Sequence, residues 1–288
     1  MQIKFREVMI NVATGGVELD KQLPPVLLLH GAGMDRTVWS QQTRYLAHHG
    51  FAPMAVDLPG HGDSEGALLS TIAEMAEWVA AFVDMMALGP VRLVGHSMGS
   101  LISLEVAARH PQTTERLVLM GAAAAMPVHP DLLGAAERNE VLAPQLMTSW
   151  AHGNRAHIAG NPTPGLWMRS GCQALLERAA PDVIYNDLSA CNSYEAGDVA
   201  ARIECPVSVM VGSEDKMTPP KATAQLVAGF SEVDLQHLDG VGHMMMMEAP
   251  DQIRDLLLRA LRYLEATRVA ENVMIKQTSL KKRVRYGC

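Results

Sequence analysis

The stretch that decides the fold is Val91-Arg92-Leu93-Val94-Gly95-His96-Ser97-Met98-Gly99-Ser100. A strand-favouring run breaks at Gly95, and a helical pattern begins directly after Ser97, which predicts a strand, a sharp turn and a helix with the serine at the apex. A serine hydroxyl at such a turn stands clear of the sheet, where a base reaches it. Gly95 and Gly99 fit the turn because the strand and the helix pass too closely for a side chain at either place. Since a short glycine and serine pattern also arises by chance, its meaning depends on partners elsewhere in the chain.

Short apolar strands alternate with helical segments on both sides of this turn. Unbroken apolar strands indicate burial on both faces, as in a parallel sheet covered by helices. We therefore expect an α/β fold with a mostly parallel sheet of roughly eight strands, covered by helices on both faces. The strands are predicted at 3–13 (a weak edge strand and turn), 26–29, 52–57, 91–95, 116–121, 207–211 and 234–238. The helices are predicted at 36–49, 70–88, 98–109, 220–229 and 248–265.

The alternation stops near Met126 and resumes at Pro206, and the helical stretches between them are broken by prolines. We expect an α/β core formed by residues 1–125 and 202–265, with residues 126–201 inserted as a helical cap, or lid. The remaining residues, 266–288, are basic, and we expect a flexible, solvated tail rather than a docking surface.

Composition and charge exclude several classes of function. The chain is 48% hydrophobic and 19% charged, and its formal charge of -7 argues against a nucleic-acid partner. The amino-terminal residues carry mixed charge, and no apolar run is long enough for a membrane span, so we expect neither export nor membrane insertion. The four cysteines lack metal-ligand spacing and a paired framework, which favours a reduced, cytoplasmic protein. Since no metal motif, dinucleotide fingerprint or P-loop is present, we expect no metal and no cofactor. The oligomeric state stays open.

Loops at the carboxyl ends of the predicted strands carry the groups that a serine nucleophile requires. Asp215 follows the strand at 207–211, and His243 follows the strand at 234–238. In serine hydrolysis an imidazole takes the serine proton, a carboxylate orients the imidazole, and backbone N–H groups stabilise the oxyanion. Glu214 is the alternative carboxylate.

With these motifs the chain resembles the α/β-hydrolase superfamily, and in particular its capped esterases and lactonases, over roughly residues 20–265. The order serine, aspartate, histidine is the order found in that superfamily. The segments that carry the resemblance are His30-Gly31-Ala32-Gly33, Asp57-Leu58-Pro59-Gly60-His61-Gly62-Asp63-Ser64, Gly95-His96-Ser97-Met98-Gly99, Gly212-Ser213-Glu214-Asp215 with Thr218-Pro219, and Gly242-His243 with Glu248-Ala249-Pro250.

The resemblance implies a role for each matching position. Ser97 would be the nucleophile, His243 the base and then the acid, and Asp215 the residue that orients His243. The N–H groups of Ala32 and Met98 would form the oxyanion hole. Other histidines in these motifs are expected to fix loops by hydrogen bonding.

Apolar side chains near these motifs and in the expected cap are candidates for lining a substrate pocket. For each of them a core role is the alternative, because a cap also has to bury its own underside. The candidates are Met126, Trp167, Met217 and Met244.

The leading hypothesis is a serine hydrolase that cleaves a small or medium acyl ester, thioester or lactone through an acyl-enzyme on Ser97. One alternative is hydrolysis of a carbon–carbon bond in a ring-fission-type diketone acid, with Arg155, Arg169 or Arg178 binding the substrate carboxylate. A cofactor-free acyltransferase or perhydrolase would differ only in the group that intercepts the acyl-enzyme. A ligand receptor without turnover is the remote alternative from another class of function.

Overall fold

The computed structural model describes residues 1–157 and 167–262. Its centre is an eight-stranded sheet, which confirms the predicted α/β fold class. The strands are β1 Gln2–Phe5, β2 Val8–Ala13, β3 Pro25–Leu29, β4 Ala52–Val56, β5 Val91–His96, β6 Thr114–Met120, β7 Val207–Gly212 and β8 Asp234–Leu238. The expected tail 266–288 and the last residues of the expected core, 263–265, lie outside the described residues.

The strand order across the sheet is β1-β2-β4-β3-β5-β6-β7-β8. Strands β3 to β8 run parallel to one another. At the edge of the sheet, β2 pairs antiparallel with β4, and β1 pairs antiparallel with β2. The central strands β3, β5 and β7 are almost wholly buried, as their unbroken Val and Leu runs predict for a sheet covered on both faces.

The chain reverses direction across the sheet between β3 and β5, because β4 lies on one side of β3 and β5 on the other. In parallel register, Leu29 at the end of β3 stands beside Gly95 near the end of β5. Ligands of open α/β sheets bind at such a switch point, at the carboxyl ends of the strands. The loops that begin at His30 and Ser97 therefore start side by side.

The helices are α1 Ser40–Ala47, α2 Ile72–Met86, α3 Met98–Arg109, α4 Pro130–Glu137, α5 Leu142–Ala151, α6 Asn154–His157, α7 Met168–Glu177, α8 Val183–Asn192, α9 Pro220–Val227 and α10 Met245–Glu248. A further helix, α11, covers residues 250–262. Short 3-10 helices lie at Arg36–Trp39, Pro111–Thr113 and Val199–Arg202. Among the described residues, no helix is both long and apolar enough to pass through a bilayer.

Three predicted elements differ in detail from the structure. The edge segment 3–13 is two strands, β1 and β2, joined at Arg6 and Glu7 with positive φ. The predicted helix 36–49 begins as a 3-10 turn, and the Asp35 side chain caps this turn by accepting a hydrogen bond from the Thr37 N–H at 2.8 Å. The predicted helix from 248 divides into α10 and α11, and Pro250 suits the first turn of α11, where its missing N–H has no partner to lose.

The described residues between β6 and β7, 121–157 and 167–206, are called the inserted segment below. They contain helices α4 to α8 and one isolated bridge, between Ala125 and Glu195. Helix α5 packs on α4 and α7, and α8 packs on α4 and α3. The segment thus rests on the sheet's own helical layer through α3, the helix that begins directly after Ser97.

Candidate active site

Ser97 occupies the sharp turn between β5 and α3. Its backbone has φ 55° and ψ -119°, a conformation that a residue with a side chain rarely adopts. The Ser97 N–H donates to the Met120 carbonyl at 2.9 Å, which holds the turn against the end of β6. Such a strained turn lifts the serine side chain away from the sheet.

The glycines on either side of the serine permit this geometry. A Cβ on Gly95 would lie 2.2 Å from the Gly99 carbonyl oxygen, and a Cβ on Gly99 would lie 2.3 Å from the Leu29 carbonyl oxygen. Real Cβ atoms do not approach backbone atoms so closely. The close passage of strand and helix that the sequence predicts is therefore confirmed at both glycines.

Asp215 and His243 meet although 28 residues separate them in the chain. The His243 Nδ1 is 2.8 Å from the Asp215 Oδ2, and both side chains are almost fully buried. Thr218 adds a hydroxyl donor to the same carboxylate oxygen at 2.7 Å, and the backbone N–H groups of Met217 and Thr218 donate to Asp215 Oδ1 at 2.9 and 2.8 Å. The carboxylate is thus fixed in place by groups from its own loop as well as by the imidazole.

The charge state of Asp215 follows from these contacts. Burial acts to raise its pKa, but the neighbouring His243 and the donors from Thr218 outweigh burial and hold the pKa of Asp215 below its ordinary value. An ionised Asp215 accepts a hydrogen bond from the N–H at His243 Nδ1, so Nε2 is the ring nitrogen left for the substrate side. Glu214, the alternative carboxylate, instead accepts a hydrogen bond from the Asn154 N–H and does not bind His243.

Ser97 and His243 line one cavity of about 390 Å³. Within the described residues no hydrogen bond joins the Ser97 hydroxyl to the His243 ring. Such bonds are often long without substrate and tighten when it binds. Most other lining side chains are apolar; they include Met34, Leu132, Met147, Trp150, Leu176 and Leu188.

The loop after β3 faces the same cavity through Ala32. Gly31 to Met34 form a turn in which the Met34 N–H donates to the Gly31 carbonyl at 3.2 Å, and Gly33 has φ +69°. Neither the Ala32 N–H nor the Met98 N–H donates to another group within the described part of the chain. Both groups are consequently free to bind a negatively charged oxygen.

The predicted pocket residues divide into two pairs. Met126 and Met217 line the cavity. Met244 is absent from the cavity wall and is fully buried in the hydrophobic core. Trp167 does not line the cavity either, because its side chain is 76% exposed. The next residue, Met168, is the one that is buried at the start of α7. Trp167 and Met244 thus do not belong to the wall that the described residues form around this cavity, because apolar character alone does not say which way a side chain points.

The other histidines of the motifs fix loops, as predicted. His30 accepts from the Leu58 N–H at 3.2 Å, and His96 lies 3.0 Å from the His243 carbonyl oxygen. His61 lies 2.8 Å from Asp187, a residue of α8. Within the described residues, no group of three or more His, Cys, Asp or Glu side chains is arranged to hold a metal ion.

Comparison with known proteins agrees with this geometry. A sequence model of the alpha/beta hydrolase family matches residues 26–256. The chain belongs to the alpha/beta hydrolase family.

Two curated relatives of this alpha/beta hydrolase are hydrolytic enzymes. The (E)-2-((N-methylformamido)methylene)succinate hydrolase of Acinetobacter baylyi is 24% identical over 81% of this chain and 88% of the relative. The pimeloyl-(acyl-carrier protein) methyl ester esterase of Nitrosospira multiformis is 26% identical over 83% of this chain and 95% of the relative. The solved enol-lactonase from Burkholderia xenovorans has a TM-score of 0.81 at 20% identity, over 91% of this chain and 99% of that chain, and shows a shared fold.

Sequence reasoning missed the residues through which the inserted segment of this alpha/beta hydrolase touches the site. The Ala151 carbonyl accepts from the N–H groups of His243 and Met244 at 2.7 and 3.1 Å. Glu248 accepts from the N–H groups of Gly153 and Gly242 at 2.9 and 3.1 Å. The contacts of Ala151 and Gly153 join residues far apart in sequence and use their backbone groups, so no local pattern marks them. Glu248 belongs to a segment that carries the family resemblance, but its role as an acceptor was not predicted.

Proposed function

We propose that this protein is a serine hydrolase that cleaves a carboxylic ester, thioester or lactone through an acyl-enzyme on Ser97. The observation that carries the proposal is the buried pair of His243 and Asp215, 2.8 Å apart, beside a cavity that Ser97 lines from a strained turn. The hydrolytic names of the curated relatives support the same reaction class.

In the proposed reaction the Ser97 hydroxyl attacks the acyl carbonyl carbon and His243 Nε2 takes the serine proton. The carbonyl oxygen becomes an oxyanion, and the free N–H groups of Ala32 and Met98 donate to it. The bond to the leaving oxygen or sulfur then breaks, and His243 gives that atom the proton. Water, deprotonated in turn by His243, attacks the acyl-enzyme and releases the carboxylic acid and Ser97.

The cavity supports an uncharged acyl group of small or medium size. Its volume is about 390 Å³ and its walls are mainly apolar, with the polar side chains of Ser97, Thr218 and His243 at the reacting end. Burying a charged group against such walls would cost free energy, and away from the reacting end the described lining offers basic side-chain partners only at His129 and Lys216.

Cleavage of a carbon–carbon bond in a diketone acid finds less support. The cations assigned to its carboxylate, Arg155, Arg169 and Arg178, do not line the described cavity. Arg178 instead lies 3.8 Å from Asp35. Acyl transfer to an alcohol or a peroxide, by contrast, needs the same site and differs only in the acceptor.

We further propose that residues 126–201 act as a cap over a core formed by 1–125 and 202–265. The cavity has walls from both parts: Leu132, Trp150 and Leu188 come from the inserted segment, and Ala32 and Met217 from loops of the sheet. A cap of this kind limits the access of water to the acyl-enzyme. The free thiols Cys172, Cys191 and Cys205 fit the reducing cytoplasm, where we place the enzyme.

The test is covalent labelling with a fluorophosphonate combined with hydrolysis of p-nitrophenyl esters of increasing chain length. We expect label on Ser97, turnover of short and medium chains, and loss of at least about a thousandfold in kcat/KM for Ser97→Ala. Ser103→Ala is the matched control, because its buried hydroxyl donates only to the Gly99 carbonyl, at 2.7 Å. Full turnover by Ser97→Ala would show the proposal to be wrong.

A further inference from the structure

Asp187 is a buried carboxylate that the proposed chemistry does not use. It belongs to α8 of the inserted segment and has no exposed surface. Its Oδ2 atom accepts a hydrogen bond from the Gly33 N–H at 2.8 Å and lies 2.8 Å from His61 Nε2. One oxygen of the inserted segment therefore holds the loop after β3 and the loop after β4 together.

The geometry around His61, the side-chain partner of Asp187, favours a positively charged imidazolium. His61 faces an acceptor with each ring nitrogen, since Nδ1 lies 3.0 Å from the Pro59 carbonyl oxygen. Only the doubly protonated imidazolium donates from both nitrogens. Burial acts to lower the pKa of His61, but Asp187 outweighs it and raises that pKa. A buried ion pair of this kind stabilises one arrangement strongly, because either partner left alone would be an uncompensated charge.

The contact to Gly33 lies next to a proposed oxyanion donor. In the turn from Gly31 to Met34, the Ala32 N–H faces no partner and the adjacent Gly33 N–H is fixed by Asp187. Helix α8 also packs on the turn: a Cβ on Gly33 would lie 2.8 Å from the Ile184 side chain. The orientation of the Gly33 peptide determines that of its neighbour, because a turn this short has few free dihedrals.

We propose that Asp187 is a positioning residue that aims the Ala32 N–H at the developing oxyanion. This inference rests on the proposed acyl-enzyme chemistry. Asp187 touches no substrate, since it is absent from the cavity wall, and it acts through the Gly33 N–H. The inserted segment then contributes to the rate of the chemical step as well as to the shape of the cavity.

Removing Asp187 should weaken binding of the transition state and leave binding of the substrate almost unchanged. Loss of a whole oxyanion donor lowers kcat by about 10²- to 10³-fold, so a misdirected donor should lower it by about ten- to a hundredfold. The KM should stay within about threefold, because the ground-state carbonyl depends less on the same donor. An alkyl boronic acid forms a tetrahedral adduct on the serine, and its inhibition constant should rise at least about tenfold.

The experiment compares Asp187→Ala, Asp187→Asn and the wild type. Asn keeps an oxygen for the Gly33 N–H, so we expect it to restore kcat to within about fivefold of wild type. Tyr194→Phe is the matched control: it removes another bond between the inserted segment and α3, the 3.0 Å bond from the Tyr194 hydroxyl to Glu105, and lies away from the turn. We expect Tyr194→Phe to leave kcat and the boronate inhibition constant unchanged.

The outcomes separate this inference from the proposed function. If the wild type forms no boronate adduct on Ser97, both fall together. If it does, and folded Asp187→Ala keeps its kcat and boronate inhibition constant, or raises KM in parallel, only the role of Asp187 is overturned. Should Asp187→Ala fail to fold, an NMR measurement on the wild-type protein tests the role of Asp187 instead. The ¹⁵N resonance of His61 Nε2, which lies outside the cavity wall, should shift on boronate binding, and an unchanged resonance refutes the inference.

Discussion

Thr218 contacts both Asp215 and His243. Its hydroxyl donates to Asp215 Oδ2 at 2.7 Å and lies 3.3 Å from His243 Nδ1, so it shares the carboxylate oxygen that orients the imidazole. A hydrogen bond to a charged group is stronger than one between neutral groups, and it lowers the pKa of the carboxylate that accepts it. The ionisation of Asp215 therefore depends on the neutral hydroxyl of Thr218 as well as on His243.

We expect Thr218→Val to lower kcat about tenfold with little change in KM, because Asp215 loses one donor and holds His243 less firmly. Steady-state kinetics on an ester substrate provide the measurement. Thr223→Val serves as the matched control, since Thr223 is equally buried and its hydroxyl donates to the Ala122 carbonyl at 2.8 Å, away from the imidazole. Equal losses in the two variants would contradict the assignment.

Among the secondary-structure elements, β3 determines the geometry of the turn between β5 and α3. Helix α3 passes so close to the end of β3 that Gly99 faces the carbonyl oxygens of Leu29 and His30 at distances no Cβ tolerates. Both obstacles are backbone atoms of a central strand, which cannot move aside as a side chain can. The position of the nucleophile is thus set by the packing of helix on strand.

Gly99→Ala should lower the free energy of unfolding by at least about 1–3 kcal/mol and also lower kcat/KM, because α3 has to move away from β3. Urea unfolding and ester kinetics measure the two effects. Gly134→Ala in α4 is the comparison: its Cβ would meet only the flexible end of Arg138, at 3.3 Å. That variant should be as stable as wild type or slightly more so, because alanine favours a helix. A stable, fully active Gly99→Ala would disprove this reading of the turn.

Elements with a strong local pattern were predictable from the sequence, and contacts between distant elements were not. Ser97, Asp215 and His243 were predicted as candidates because each lies in a loop that follows a predicted strand. Asp187 escaped notice because it lies in an amphipathic helix with no motif around it. The signal available was its partner: a histidine such as His61, in a loop closed by glycines, needs a buried acceptor.

Buried neutral histidines affect the stability of the whole molecule. Burial is the main cause that lowers the pKa of His30 to about 4, of His96 to about 3 and of His152 to about 4. In the unfolded chain each histidine takes up a proton near its ordinary pKa of 6.5. Between these values the unfolded state binds more protons than the folded state, so these groups favour folding above pH 6.5 and lose that contribution as the pH falls.

His152→Gln should weaken the dependence of stability on pH. Between about pH 4.5 and 6, its free energy of unfolding should fall with acidity less steeply than that of wild type, by up to about 1.4 kcal/mol per pH unit. Urea unfolding at several pH values gives the two slopes. His237→Gln, at an exposed position, should keep the wild-type slope. Parallel curves for His152→Gln and wild type would rule out a buried neutral His152.

The joint between Ala151 and the loop of His243 limits how this enzyme can be re-engineered. The Ala151 carbonyl and the Glu248 carboxylate accept hydrogen bonds that hold the two chain segments of this joint together. Gly153 and Gly242 pass so closely that a Cβ on Gly242 would lie 2.4 Å from the Gly153 nitrogen. A segment transplanted from a relative to change substrate preference would have to leave these residues in place or bring its own acceptors and glycine. Recombination points are therefore better chosen away from residues 151–153 and 242–248.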